Sequence, residues 1–159
     1  MIVKTRKYQL PKNTYVKLGL ESILKKQWWF IGAPILLGSI AFVLPNYKWW
    51  FISLAITAVI LYFLFWLIQF YGVTQLEQNK ILFEKLSYEI DSRQVLIKVN
   101  TREGMQVQWS SIQDAYKRKE DFVLVISKAQ FIHLPFKIFN SENDVKFVET
   151  ILKRKEYIK

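Results

Sequence analysis

The sequence predicts an α+β membrane protein: a two-helix transmembrane hairpin, then an antiparallel β domain closed by a C-terminal helix. Three observations lead there. Between Trp28 and Tyr71 the chain holds a single charged residue, Lys48. After Tyr71, apolar residues recur with period two between turn signals. The tail then switches to helical periodicity behind a Ser141 cap. Bulk composition hides this arrangement, since 159 residues that are 52% hydrophobic and 23% charged would pass for an ordinary globular chain. Their uneven distribution makes a uniformly soluble domain a poor starting assumption.

Residues 1–27 form an amino-terminal flank. Ile2 to Leu10 has the rough alternation of a short exposed strand, and Pro11-Lys12-Asn13-Thr14 reads as the break before a juxtamembrane helix. That helix has Tyr15, Val16, Leu18, Leu20, Ile23 and Leu24 to lay along the bilayer interface or against the rest of the protein. The hairpin follows over 28–71. Its first span, 28–44, carries no charge and reaches roughly 25 Å as a helix, slightly short of a ~30 Å hydrocarbon core. The second, 49–70, reaches about 33 Å with only Gln69 as a strongly polar side chain. Pro45-Asn46-Tyr47-Lys48 makes the turn between them. Trp28-Trp29, Trp49-Trp50, Trp66 and Tyr71 stand where amphipathic rings prefer the headgroup level. Gly32, Gly38 and Ala41 in one span, and Ser53, Thr57 and Ala58 in the other, allow close helix approach. A pair of buried core helices is the soluble alternative to this hairpin.

Charge sets the orientation. The first 27 residues hold seven Lys and Arg against Glu21 alone, and the turn holds only Lys48, so the positive-inside rule puts both termini in the cytoplasm of a multi-pass cell-membrane protein. Residues 72–159 carry 15 basic and 12 acidic side chains, so most of the net charge of +10 lies beside the membrane. Lys25 and Lys26 before the first span, with Lys80 and Lys85 after the second, are candidate contacts for anionic lipid. No recognition helix or stacking sheet points to nucleic acid.

In the cytoplasmic domain, 72–159, six strands are expected. They are 86–90, 95–99, 105–110, a weaker polar one within 112–119, 122–126 and 131–134. The turns are Asp91-Ser92-Arg93, Thr101-Arg102-Glu103-Gly104 and Ser127-Lys128-Ala129-Gln130. Met105, Val107 and Trp109 should share the core face. A final helix over 141–156 has Ser141 as N-cap, Asp144 three residues on, and an apolar stripe of Val145, Phe147, Val148, Ile151 and Leu152. Strands followed by one terminal amphipathic helix are the order of a pleckstrin-homology-like (PH-like) domain, whose helix plugs one end of a bent sheet.

Trp109-Ser-Ser-Ile112, Phe122-Val-Leu-Val-Ile126, and Phe131-Ile-His-Leu-Pro135 with Phe139 and the terminal helix carry a resemblance. Together they resemble the YcxB-like family of bacterial membrane proteins, over nearly the whole chain. The resemblance implies a strand and helix, two spans and a C-terminal domain. It makes Trp109, Ile112, Pro135 and Phe139 a structural motif, and it implies no biochemical activity. Phe136 stands where the family pattern has a basic residue, with Lys137 one position later.

Chemistry for catalysis is sparse. There is no cysteine, and the single histidine, His133, should point away from Ile132, Leu134 and Phe136 in a surface or packing role. The five glycines never fall at phosphate-loop spacing. No cofactor, metal or catalytic residue is expected. The leading expectation is a non-enzymatic, membrane-anchored binding or scaffold domain, with the bilayer or another membrane protein as partner. An immunity factor against a membrane-active peptide and an accessory transporter subunit are the alternatives.

Overall fold

The computed structural model describes residues 2–100 and 104–158. Its elements are β1 Val3–Lys4, β2 Tyr8–Gln9, α1 Lys12–Lys26, α2 Gly32–Val43, α3 Lys48–Val73, β3 Lys85–Ile90, β4 Gln94–Lys98, β5 Gly104–Gln108, β6 Asp114–Lys117, β7 Asp121–Ser127, β8 Gln130–Pro135 and α4 Glu142–Arg154. Short 3-10 turns cover Trp28–Ile31, Pro45–Tyr47, Glu77–Phe83, Trp109–Ser111 and Phe136–Ile138. This is a mixed helix and antiparallel-sheet fold, and its sheets do not close into a barrel. The turn expected at 101–104 lies, apart from Gly104, outside the described residues.

One sheet runs β1-β3-β4-β5, with β2 also on β3, and the other runs β6-β7-β8. All of these pairings are antiparallel. The amino-terminal segment is therefore not the exposed strand its sequence suggests. Two short pieces pair with β3, Val3 opposite Ile90 and Tyr8 opposite Leu86, and Val3 is buried. Residues before and after the long apolar stretch thus share one sheet.

Strands β7 and β8 explain the layering. Phe122, Leu124, Ile132 and Leu134 face one core, together with Trp109, Ile112 and Val148, Ile151 and Leu152 of α4. Val123, Val125 and Phe131 face a second core, made with Tyr15, Leu18 and Ile23 of α1 and Phe70 of α3. A strand covered on both faces reads as a continuous apolar run, which is why Phe122–Ile126 does not alternate. The same covering buries His133, so of its two expected roles, surface or packing, the structure shows the packing one.

Two further expectations change. The strand after Gly104 ends at Gln108, and Trp109 opens a 3-10 turn that keeps it buried. Met105 is 52% exposed rather than on the core, because β5 is the outer strand of its sheet and offers no neighbour to cover that end. The C-terminal helix forms as its sequence implies. Ser141 accepts from the Asp144 amide and Asp144 accepts from the Ser141 amide, a reciprocal capping box. At the other end Glu156 takes φ 61°, and the Tyr157 and Glu156 amides return to Leu152 and Lys153, a Schellman ending. It turns Tyr157 back so that its hydroxyl donates to the Trp109 and Ile112 carbonyls.

In the apolar third, α3 is long and apolar enough to cross a membrane, and none of its apolar window is buried inside the protein. The first run differs from expectation: instead of one helix over 28–44 it is a 3-10 turn followed by a 12-residue α2, bent 73° from α1. Pro34 gives a physical reason. It has no amide to bond back to Phe30, so an α-helix tolerates it only in a first turn, and α2 begins at Gly32. α2 packs against α3, with Ala41 buried and the Gly38 position 4.0 Å from the Ala55 methyl. A Cβ added at Gly32 would meet nothing within 4 Å, so no close helix approach needs that glycine.

Two substitutions probe these contacts in the full chain, in detergent. Trp109 is 2% exposed and its Nε1 donates to the Asp91 carbonyl at 2.8 Å. Trp109→Ala should cost about 3–5 kcal/mol in denaturant unfolding, whereas a midpoint that barely moves would mean the ring is not core. A Cβ on Gly19 would lie 2.6 Å from the buried Phe70 ring. Gly19→Ala should therefore destabilise by about 1–3 kcal/mol despite the better helix propensity of alanine. Phe70→Leu should recover part of that loss, and a stabilising Gly19→Ala would refute the close approach of α1 to α3.

Candidate functional site

Polar chemistry concentrates along α1, in two clefts at opposite ends of the helix. The first, about 450 Å³, is lined by Tyr8, Thr14, Asp121, His133, Phe136 and Lys137 among others. Inside it the Tyr8 Oη lies 2.9 Å from His133 Nδ1, and His133 Nε2 lies 3.1 Å from Asp121 Oδ2. A carboxylate only accepts, so Nε2 carries the proton and donates to Asp121 while Tyr8 donates to Nδ1. Asp121 also lies 3.9 Å from Arg118 Nε, and the Arg118 guanidinium pairs with Glu21 of α1 at 2.5 Å. This row of groups ties β2, β8, β7 and α1 together.

Burial holds His133 below its ordinary value of 6.5. The Asp121 hydrogen bond opposes that shift, and the charges of Arg118 and Lys137 add to it. Burial and the Asp121 charge push the Tyr8 hydroxyl up, so it stays protonated. The protonated phenol donating to the neutral imidazole ties β2 to β8, and Asp121 ties β7 to the same ring. Asp121 Oδ1 and the Tyr116 hydroxyl are the buried side-chain polar atoms without a hydrogen-bond partner among the described residues. Among those residues no group of three or more His, Cys, Asp or Glu is placed to hold a metal ion.

The second cleft, about 200 Å³, lies at the carboxyl-terminal end of α1 and is lined by Ser22, Lys25, Lys26, Gln113, Asp114, Tyr116 and Val125. Lys26 Nζ donates to Gln113 Oε1 at 3.1 Å, and Lys25 Nζ stands 3.9 Å from the Tyr116 ring centroid. Of the four lysines singled out by sequence, these two share a site and the others do not line it. Lys80 pairs with Glu77 at 2.9 Å on the 3-10 segment after α3, and Lys85 is exposed at the start of β3. Trp109, Ile112, Pro135 and Phe139 are buried, and Trp109, Ile112 and Phe139 belong to the first core. An apolar groove of about 400 Å³ also opens between β5 and β8, lined by Leu82, Tyr88, Ile97, Met105 and Phe131.

Sequence reasoning missed the Tyr8–His133–Asp121 row. The uninterrupted apolar stretch of β7 carried the signal, because a strand covered on both faces buries the neighbouring strand's histidine as well and obliges it to find partners.

The row predicts a pH dependence. The unfolded chain takes up a proton at His133 near pH 6.5, and the folded chain does so at lower pH. Stability from the neutral imidazole is therefore complete above that value and is lost as pH falls through the folded one. The melting temperature of the full chain should drop between about pH 7.5 and pH 5.5, and His133→Gln should flatten that slope. An equally steep slope in the variant would place the proton elsewhere.

No curated protein and no solved structure matches the chain. A family model matches the part of the chain that carries the Trp109 and Pro135 motifs, and the N-terminal strand pair, α1 and the hairpin lie outside it. Residues 90–152, from the last residue of β3 to Leu152 in α4, match the YcxB-like protein family.

Proposed function

We propose that this chain is a membrane-anchored, non-enzymatic binding or scaffold protein, in which the α2–α3 hairpin is the anchor and the two sheets with α4 form a PH-like domain in the cytoplasm. The observation that carries the reading is the exposure of α3. A core helix of a soluble protein would be covered, whereas the apolar window of α3 is uncovered and Trp49 and Trp50 are 78% and 79% exposed. Apolar surface of that extent needs a cover other than water. The aromatic residues at both ends of the hairpin and the lysine-rich amino-terminal flank favour a bilayer as that cover.

The strand grouping supports the domain reading. The β1/β2 segment with β3, β4 and β5 makes one sheet, β6, β7 and β8 make the other, and α4 packs on the core between them. On this reading the hairpin is inserted between the first strand and the second.

Cysteines introduced at Asn46 and Ser92 test the anchor and its orientation together. An impermeant maleimide on intact cells should label position 46 and spare position 92, and the full chain should remain with membranes through an alkaline wash. Preferential labelling at 92 would reverse the topology, and release by the wash would remove the anchor.

A further inference from the structure

We propose that the cleft at the carboxyl-terminal end of α1 binds the phosphate of an anionic phospholipid headgroup through Lys25 and Lys26. The inference rests on the anchoring reading and adds a ligand class to it.

Some cations are tied to a carboxylate and others are not, and what distinguishes Lys25 and Lys26 among those that are not is that they line one cleft together. Lys98 is paired with Glu89, Lys117 and Lys153 with Glu149, Lys80 with Glu77, and Arg118 with Glu21. Among the described residues Lys25 and Lys26 form no ion pair, and they are held by neutral groups instead, the Gln113 amide oxygen and the Tyr116 ring. An ammonium has three donors, and Lys26 commits one to Gln113. Both amines are thus positioned by β6 and the residue before it, yet keep donors and charge for an anion. Ser22 adds a hydroxyl to the lining, and Asp114 is its one acid, leaving two cations against one anion.

Size and place narrow the ligand. About 200 Å³ is below the roughly 300–1,000 Å³ of a drug-sized pocket, which suits a single phosphate with its ester substituents. Lys26 is followed after Gln27 by Trp28 and Trp29, both exposed, at the point where the chain bends into the hairpin. Exposed tryptophans there mark the headgroup level of an anchored chain, so the cleft opens where lipid phosphates are concentrated. The negative end of the α1 dipole lies at the same place and is offset by these two charges.

The test uses the full chain in neutral detergent, offered dihexanoylphosphatidylglycerol or dihexanoylphosphatidylcholine, with lipid retention read by native mass spectrometry. Phosphatidylglycerol should be retained about tenfold more than phosphatidylcholine. Lys25→Gln with Lys26→Gln should make the two lipids equal. Gln113→Glu gives Lys26 a carboxylate partner without touching the lysines, and should lower the preference several-fold, while Asp114→Asn should raise it. Equal retention by the parent chain, or a preference unchanged in the double lysine variant, would overturn the site. Displacement of phosphatidylglycerol by inorganic phosphate at equal concentration would overturn the lipid assignment in favour of a soluble anion. A chain lost from washed membranes would defeat the anchoring reading, whereas indifference by a membrane-retained chain would defeat this inference alone.

Discussion

A sheet with two apolar faces needs cover on both, and α1 supplies it on the second face while meeting α3 at the buried Phe70. Tyr15 is the centre of that arrangement. Its ring lies 6.2 Å from Phe70 of α3, 5.3 Å from Phe83 and 5.7 Å from Phe131 of β8, all edge-on, and its hydroxyl donates to the Ala129 carbonyl at 2.6 Å. Edge-to-face aromatic pairs contribute about 0.5–1.5 kcal/mol each beyond the area they bury. The cluster therefore joins α1, the carboxyl-terminal end of α3 and β8 at one point. Gly19 is the other half of the device, since its missing side chain admits the Phe70 ring.

Polar groups along the same seam give register more than strength. The Arg118–Glu21 pair joins β7's approach to α1, and the His133 row joins β2 to β8 and β7. Pairs that remain partly exposed, such as Lys80 with Glu77, are worth little individually. Those in the buried cleft matter because their removal would strand a partner without a hydrogen bond. The two ends of α1 thus have different characters: one is locked by an internal network, and the other presents cations held only by neutral groups.

Much of the fold was legible locally. The six strands after Glu84 and the α4 cap follow from alternation and from Ser141 with Asp144, because each depends on near neighbours in sequence. Several of the differences share one cause, which is contact between distant segments. Val3 and Tyr8 join β3 across the whole hairpin, and nothing in nine polar-alternating residues announces a partner some eighty positions away. For His133 the sequence left surface and packing roles open, because the partner that covers it, Tyr8, comes from a segment 125 positions away. Pro34 was visible in the sequence, but its power to restart the helix at Gly32 depended on the bend after α1. Two of the four lysines, Lys25 and Lys26, proved to share a site because α1 delivers them to β6, which spacing along the chain does not reveal.

The central claim is that α3 lies in lipid while α1 and the sheets stand outside it. Brominated lipids quench a tryptophan only on close approach, so single-tryptophan forms of the full chain in such vesicles test it most directly. Trp50 retained alone should be strongly quenched, and Trp109 retained alone should keep its emission. An unquenched Trp50, or equal quenching at the two positions, would contradict the account.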